Sequence, residues 1–429
     1  MRRRTLAAAL ACLTLASGCA GGAVEEAARS ADLVARDPAA VTGQVTYWDT
    51  SNATNEAPVF KALIEQFHRK YPKVRVKYVN VPFDQAQNKF KNAAGSFSAA
   101  DVIRAEVAWT PEFAALGYLQ PLDETPLVKD AKDFLPAAAE STRYNGKTYG
   151  IPQVTDTIGL LYNKELLARA GVSRPPTTMA ELKETALRVS QRTGAQGLYL
   201  NPGGYFLLPH LYGEGADVLD VKTRQITVNS PAAVRAVAQV QDLIAAGAAP
   251  KPDFADGYSN MMAGFRDGRI AMILNGPWSV ADIFTGKAFT DRSNLGVAPV
   301  PAGSTGRAGA PIGGHNYGVY AGSENLAASY LFVQFMSSTQ SQAKVARELG
   351  LLPTRRSAYT QPGVVANATV GPYRSVLETA HGRPWIAEGG LLFGPLDQNY
   401  VKILSGAATP QQGLDAVAAE YRKFLKGWK

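Results

Sequence analysis

The chain has 429 residues, of which 46% are hydrophobic and 19% are charged, and this composition excludes a disordered or fibrous protein. The length corresponds to two or three domains or to one large bilobal body. The basic residues exceed the acidic ones by 44 − 36 = 8, and the only two cysteines, Cys12 and Cys19, exclude a disulfide framework and a clustered zinc site.

The N-terminus has the pattern of a secretory signal. Three arginines precede a short apolar run, and Ala16-Ser17-Gly18-Cys19 resembles the lipobox of bacterial lipoproteins. We expect residues 1–18 to be a signal peptide and Cys19 to carry lipid on the extracytoplasmic face of the membrane. The alternative is an ordinary signal peptide with a chance cysteine. Residues 19–43 are expected to be a tether, with a short docked helix around 25–36 as the alternative.

Removal of the signal peptide also lowers the net charge of the chain. Cleavage takes away three arginines and no acids, which leaves a balance of 41 − 36 = +5. This excess is mild for the length of the remaining chain, so the sequence gives no signature of nucleic-acid binding.

From residue 44 onwards, the patterns of strands and helices alternate. A strand at 44–49, a helix whose apolar face runs from Phe60 to Phe67, and a strand at 74–81 form a βαβ unit, which predicts a parallel sheet. Further strands are predicted at 100–105, 158–162 and 269–274, and further helices at 83–94, 110–116, 164–170, 178–192, 231–246, 326–336 and after Pro410. This alternation indicates an α/β chain with two doubly wound lobes, whose ligands bind at the carboxyl ends of strands.

Polar and aromatic residues follow two of these strands. Thr50, Ser51 and Asn52 either offer donors and acceptors to a polyhydroxylated ligand or form the turn that caps the next helix. Glu106 and Trp109 come after the strand that starts near Ala100. They are candidates for ligand binding, and the alternative is a surface acid with a core tryptophan.

Other candidates lie further along the chain. Asp156, between two threonines, suits bidentate hydrogen bonds to vicinal hydroxyls, with a turn aspartate as the alternative. Trp278 follows the strand at 269–274, and the turn before it favours a stacking platform for a sugar face over a core position. Tyr205 follows a Gly-Gly turn that lacks the spacing of a nucleotide loop. His315 follows Gly313-Gly314 in a predicted loop whose backbone approaches a ligand closely.

Three stretches carry a resemblance to a known family. They are Tyr144–Pro152 (Tyr-Asn-Gly-Lys-Thr-Tyr-Gly-Ile-Pro), Leu160–Lys164 (Leu-Leu-Tyr-Asn-Lys) and Asn275–Trp278 (Asn-Gly-Pro-Trp). Over about residues 44–429, the chain resembles the extracellular solute-binding proteins of bacterial sugar ABC importers, and among these the maltose/maltodextrin-binding proteins.

The resemblance implies a type II periplasmic-binding-protein-like fold, in which several hinge crossings join the two lobes. It puts the crossings near 154–158, 296–300 and 352–356. The N-terminal lobe is then expected at 44–154 and 299–354, and the C-terminal lobe at 155–298 and 355–429.

The resemblance also implies roles for particular residues. Trp278 takes the place of the stacking tryptophan, Tyr205 that of a tyrosine of the second lobe, and Asp156 that of an acid. The late aromatic platform falls on Phe393 or Trp385, and Asp397 adds a polar group near it. Two departures, Ala108-Trp109 in place of an Asp-Arg pair and Gly203 in place of an acid, bear on the choice of sugar.

We therefore expect a monomeric sugar-binding lipoprotein that delivers a maltose- or maltodextrin-type oligosaccharide to the transmembrane subunits of an ABC permease by hinge closure. No cofactor, metal, nucleic-acid partner or enzymatic activity is expected. The alternatives are a binder of another oligosaccharide of the trehalose or cellobiose type, a peptide binder of the same fold, and a secreted glycan-active enzyme that uses Glu106 and Asp156 as its two carboxylates.

Overall fold

The computed structural model describes the backbone of residues 15–429 and the side chains of residues 24–429. Most of the predicted signal peptide therefore lies outside the described residues. Cys19 lies within a described helix, but its side chain, and with it the predicted lipidation, lies outside them.

The strands alternate with helices as the sequence predicts, although several are too short for a pattern to reveal. The strands are β1 (Gly43–Asp49), β2 (Val74–Asn80), β3 (Val102–Glu106), β4 (Arg143–Tyr144), β5 (Lys147–Thr148), β6 (Ile151–Thr157), β7 (Gly159–Asn163), β8 (Gln196–Tyr199), β9 (Leu219–Asp220), β10 (Gln225–Ile226), β11 (Ile270–Asn275), β12 (Leu295–Ala298), β13 (Ala310–Val319), β14 (Leu352–Pro353) and β15 (Ala380–His381).

The predicted helices are all present, with ends that differ by a few residues. The helices are α1 (Leu15–Arg36), α2 (Ala57–Lys70), α3 (Phe83–Gly95), α4 (Trp109–Ala115), α5 (Pro136–Glu140), α6 (Lys164–Arg169), α7 (Met179–Thr193), α8 (Leu208–Gly213), α9 (Pro231–Ala245), α10 (Gly257–Arg266), α11 (Val280–Ile283), α12 (Leu326–Met336), α13 (Thr339–Leu349), α14 (Arg356–Tyr359), α15 (Val370–Leu377), α16 (Phe393–Ser405) and α17 (Pro410–Phe424).

Two main sheets organise the chain, in agreement with the predicted pair of α/β lobes. The first has the order β14-β6-β13-β3-β1-β2, with β15 beside β13, and the second has the order β12-β7-β11-β8. β1 runs parallel to both β2 and β3, as the βαβ pattern requires. The carboxyl ends of these three strands therefore lie at one edge of the first sheet.

The sheets are mixed rather than purely parallel, because β13 runs antiparallel to both of its long neighbours, β3 and β6. The sequence predicted a loop around Gly313, Gly314 and His315, and this prediction was wrong. Glycine is depleted in strands, which hid β13 from pattern analysis. Here glycine is needed, since Gly314 has a φ of 123° and a Cβ atom there would collide with the Val154 carbonyl oxygen.

The chain passes between the two sheets more than once. It leaves the first sheet after Thr157, enters the second at Gly159, and returns between Ala298 and Ala310. After Pro353 it leaves the first sheet again, and α16 and α17 pack into the core around the second sheet. Multiple crossings are thus a feature of the fold, whereas the residue limits assigned to each lobe stay a prediction.

Residues 19–36 of the segment expected to be a tether belong to helix α1, in agreement with the docked-helix alternative around 25–36. Ala31 and Val34 are 6% and 3% exposed, and they pack against α12 in the core of the first sheet. The tether was predicted because the segment is rich in small and polar residues. Such a composition does not show that two apolar residues on one face of a helix pack against the core. Among the helices of residues 15–429, none has the length and apolar composition needed to cross a membrane.

Candidate functional site

The loop after β1 is occupied by hydrogen bonds within the protein. The Thr50 hydroxyl donates to the Arg104 carbonyl oxygen over 2.9 Å, and the Ser51 hydroxyl donates to the Asp49 carboxylate. The Asn52 side-chain oxygen accepts from the backbone N–H of Thr54 over 2.9 Å. The Ser51 and Asn52 contacts are those of a turn, and the Thr50 contact joins the loop to β3. Both favour the structural alternative for Thr50 and Ser51, which are buried.

A cluster of buried polar side chains lies next to this loop. The Asp49 carboxylate accepts from the Tyr78 hydroxyl over 2.7 Å and lies 3.9 Å from the Arg104 guanidinium. The Arg104 Nε atom donates to the Gln153 side-chain oxygen over 2.8 Å, which ties β3 to β6. Burial raises the pKa of the Glu56 carboxyl beside this cluster, and Arg104 opposes the shift. Sequence reasoning missed Arg104, although a charged residue inside a buried strand is itself a signal.

Glu106 and Arg383 form an ion pair at the end of β3. Arg383 is 6% exposed, and its Nε atom donates to the Ile312 carbonyl oxygen over 2.8 Å. Glu106 also accepts from the backbone N–H of Ala108 over 2.9 Å. Removal of either residue would leave the other as an unpaired buried charge, which strongly destabilises a folded protein. The sequence analysis did not name Arg383, because no local pattern marks an arginine that pairs with a residue 277 positions away.

Asp156 lies close to this pair in a buried position on β6. It faces Gly313 across the ladder between β6 and β13. A Cβ atom on Gly313 would collide with the Asp156 carboxylate and would lie 2.6 Å from the Tyr205 hydroxyl oxygen. Glycine at this position therefore allows Asp156 and Tyr205 to approach each other.

The surroundings change the protonation of these groups. Burial raises the pKa of Asp156 from 3.8 to about 7, Arg383 lowers it and Glu106 raises it further. Burial, followed by the charge of Asp156, raises the pKa of Tyr205. Burial and the two nearby arginines hold the pKa of His315 well below 6.5, so its ring is neutral at physiological pH. Neutral hydrogen-bonding groups and one ion pair therefore dominate this part of the molecule.

Aromatic rings surround the Arg383 guanidinium. Its central carbon lies 5.4 Å from the ring centre of Tyr205, 5.4 Å from that of Trp385 and 5.7 Å from that of Phe393. The ring centre of Tyr205 lies 6.0 Å from that of Phe393 and 6.3 Å from that of Trp278. Both candidates for the late platform, Phe393 and Trp385, thus belong to one group of rings.

Trp278 occupies the junction of the two cores. Its half-buried ring packs against the main core of the second sheet and also against the core of the first. A Cβ atom on Gly276 would collide with this ring, so the Asn-Gly-Pro turn is what allows the ring to fold back on the chain. The tryptophan therefore contacts both lobes.

Three remaining candidates have clear structural surroundings. Trp109 is 6% exposed and packs with Phe113 and Phe83, as a core tryptophan would. Asp397 accepts a hydrogen bond from the backbone N–H of Gly204, and so it holds the turn that precedes Tyr205. His315 pairs with Glu106 across β3 and β13, and neither of its buried ring nitrogens has a hydrogen-bond partner within the described residues.

The arrangement offers hydrogen bonds and ring faces, and it lacks the features of an activated nucleophile. Among the described residues, no three His, Cys, Asp or Glu side chains lie together in a way that could hold a metal ion. The site is suited to a ligand that combines hydroxyl groups with apolar C–H faces, because it contains carboxylates, a guanidinium, a neutral imidazole and several aromatic rings.

Comparison with protein families and curated proteins points in the same direction. The sequence profile described as "Bacterial extracellular solute-binding protein" matches residues 62–372. The maltotriose-binding protein of Pyrococcus abyssi is 25% identical over 90% of this chain and 82% of its own length. The galactooligosaccharide-binding protein of Bacillus subtilis is 22% identical over 89% of this chain and 90% of its own.

Solved structures share the fold. The GacH receptor of Streptomyces glaucescens, solved without ligand and in complex with acarbose, is 50% identical, covers 91% of this chain and 100% of its own, and superimposes with a TM-score of 0.87. Maltose-bound MalE3 of T. maritima is 26% identical, covers 89% of this chain and 99% of its own, and has a TM-score of 0.79. These relatives are binding proteins rather than enzymes, which agrees with the expectation of no enzymatic activity.

Proposed function

Because the chain belongs to the bacterial extracellular solute-binding proteins, we propose that it binds an oligosaccharide of the maltose or maltodextrin type outside the cytoplasm and delivers it to an ABC transporter. The observation that carries this proposal is the group of rings around Trp278 and Tyr205, placed where the two lobes meet and beside a buried ion pair.

The chemistry of the group explains how a sugar would be held. The faces of Trp278, Tyr205 and Phe393 are suited to stacking against the C–H faces of pyranose rings. Asp156, Glu106 and His315 offer acceptors or donors to the hydroxyl groups, and Arg383 offers donors. Thr50, Ser51, Asn52, Trp109 and Asp397 then hold the loops in place, and of these Asn52 is exposed.

Hinge closure follows from the position of these residues on both lobes. Glu106 extends from the first sheet, whereas Tyr205 and Phe393 pack with the core of the second. A ligand that contacts both sets gains its full binding energy only when the lobes are closed, so it shifts the population towards the closed form. The closed monomer would then dock on the transmembrane subunits of the permease.

The identity of the sugar rests on the relatives. Proteins described as binding maltotriose, maltose and acarbose are similar to this chain, and this favours an α-glucan or an α-glucan analogue. Isothermal titration calorimetry with maltose, maltotriose, acarbose, trehalose and cellobiose tests the proposal directly. Heat with an α-glucan or with acarbose supports it, heat only with trehalose or cellobiose reassigns the sugar, and no heat with any of them overturns it. Release of new reducing ends from maltotriose would identify an enzyme instead.

Loss of the Trp278 ring should weaken sugar binding. Trp278→Ala is expected to cost about 1–3 kcal/mol of binding free energy, or roughly 5- to 150-fold in affinity, if the ring stacks on the ligand. Calorimetry with the sugar that binds the wild type measures the change. The control is Trp428→Ala, which removes a ring that lies beneath Arg224 near the C-terminus. Equal affinity of W278A and wild type would assign Trp278 to the core alone.

The membrane anchor is a separate part of the proposal. We expect Cys19 to be diacylated after cleavage, and helix α1 would then connect the lipid to the first lobe. In cells that express the full chain, the wild type should sediment with membranes and Cys19→Ala should not. Mass spectrometry of the mature N-terminus provides the second measurement, and an unmodified Cys19 would contradict lipidation.

A further inference from the structure

An exposed phenylalanine begins the helix that follows β2, at the same edge of the first sheet as the loops after β1 and β3. Phe83 is the first residue of α3, three residues after the end of β2. β1, β2 and β3 are parallel, so the loop that contains Phe83 lies beside the loops that begin after Asp49 and Glu106. The sequence patterns gave no reason to select this residue, because they marked it only as part of a helix.

The ring of Phe83 contacts two other rings and remains half exposed. It stacks on Trp109, with ring centres 5.1 Å apart and planes inclined by 29°, and its residue remains 49% exposed while Trp109 is 6% exposed. The His315 ring meets it in an edge-to-face arrangement at 6.0 Å. A buried tryptophan thus supports a ring that leaves about half of its residue exposed to solvent.

Both neighbours of Phe83 connect it to the candidate site. Trp109 lies three residues after Glu106, and His315 pairs with Glu106 in the ladder between β3 and β13. The two ring nitrogens of His315 are buried and have no hydrogen-bond partner among the described residues. Buried polar atoms without a partner in the protein are rare. His315 therefore brings unused hydrogen-bonding capacity to the neighbourhood of Phe83.

We propose that Phe83 is a ligand-contacting residue, whose exposed ring face stacks on a pyranose ring of the bound oligosaccharide while His315 hydrogen-bonds the hydroxyl groups of the same unit. The aromatic face carries negative charge density and attracts the C–H groups of the sugar. Because Trp109 already fixes the ring, little side-chain entropy is lost when the ligand binds. This inference deepens the proposed function and depends on it.

The test compares two phenylalanines at opposite ends of one helix. Phe97 is 88% exposed and lies two residues beyond the last residue of α3, about 20 Å from Phe83 at 1.5 Å per residue. We expect Phe83→Ala to weaken the binding of maltotriose or acarbose about tenfold, and Phe97→Ala to leave it unchanged. Calorimetry gives the affinities, and thermal unfolding without ligand checks that both variants fold.

Two further variants separate ring stacking from simple apolar contact. Phe83→Tyr keeps an aromatic face and should bind within about twofold of the wild type, whereas Phe83→Leu should lose nearly as much affinity as Phe83→Ala. Wild-type affinity in F83A and F83L would overturn the inference while leaving the proposed function intact. A wild type that binds none of the sugars would instead remove the proposed function itself.

Discussion

Arg383→Ala is expected to lower the free energy of unfolding by about 3–5 kcal/mol at neutral pH, because it removes one partner of a buried ion pair and leaves the other unpaired. The Glu106 side chain is 15% exposed and that of Arg383 is 4% exposed, so water can replace little of the lost interaction. The variant also loses the hydrogen bond to Ile312 and the contacts of the guanidinium with three aromatic rings.

Urea unfolding followed by circular dichroism measures this loss. Arg374→Ala is the matched control, because Arg374 is exposed and its guanidinium lies 5.6 Å from the ring centre of Tyr359. A double variant, R383M with E106Q, should regain part of the lost stability, since it leaves no unpaired charge. Equal unfolding midpoints for R383A and R374A would show that the ion pair contributes no stability.

Asp156→Asn is expected to stabilise the ligand-free protein at pH 8 and to change it little at pH 4. The folded pKa of Asp156 is raised from 3.8 to about 7, first of all by burial. Between these two values the unfolded chain releases a proton that the folded chain keeps. The protonated carboxyl group therefore contributes its full stabilisation of the folded state below the pKa of the unfolded chain. This stabilisation is lost as the pH rises through the pKa of the folded protein.

The size of this effect follows from the shift. About three pKa units correspond to roughly 4 kcal/mol, an upper bound for the difference between D156N and the wild type at pH 8. Asp130→Asn, the same exchange at an exposed position, is the matched control. If D156N also weakens sugar binding, the carboxylate contributes to the site at the expense of stability. A constant difference between D156N and wild type across this pH range would contradict the raised pKa.

The candidate residues chosen from the sequence have two different structural environments. Asp156, Tyr205 and Phe393 come together around Arg383, and Trp278 lies beside Tyr205. Thr50, Ser51 and Trp109 are instead buried and make their contacts within the first lobe. A position directly after a strand predicts that a residue lies in a loop at the edge of the sheet. It does not predict which side chains of that loop are buried in the lobe and which face a ligand.

The sequence by itself predicted the βαβ unit that opens the first sheet, the two α/β lobes and the family. Apolar residues at helical or alternating spacing record which face of a short segment is buried, and this information is local. Only the tertiary structure decided that β13 is a central antiparallel strand, that α1 docks and that Arg383 reaches Glu106. These features depend on contacts between segments far apart in the chain, and the packing of the complete fold, rather than any local pattern, selects such contacts.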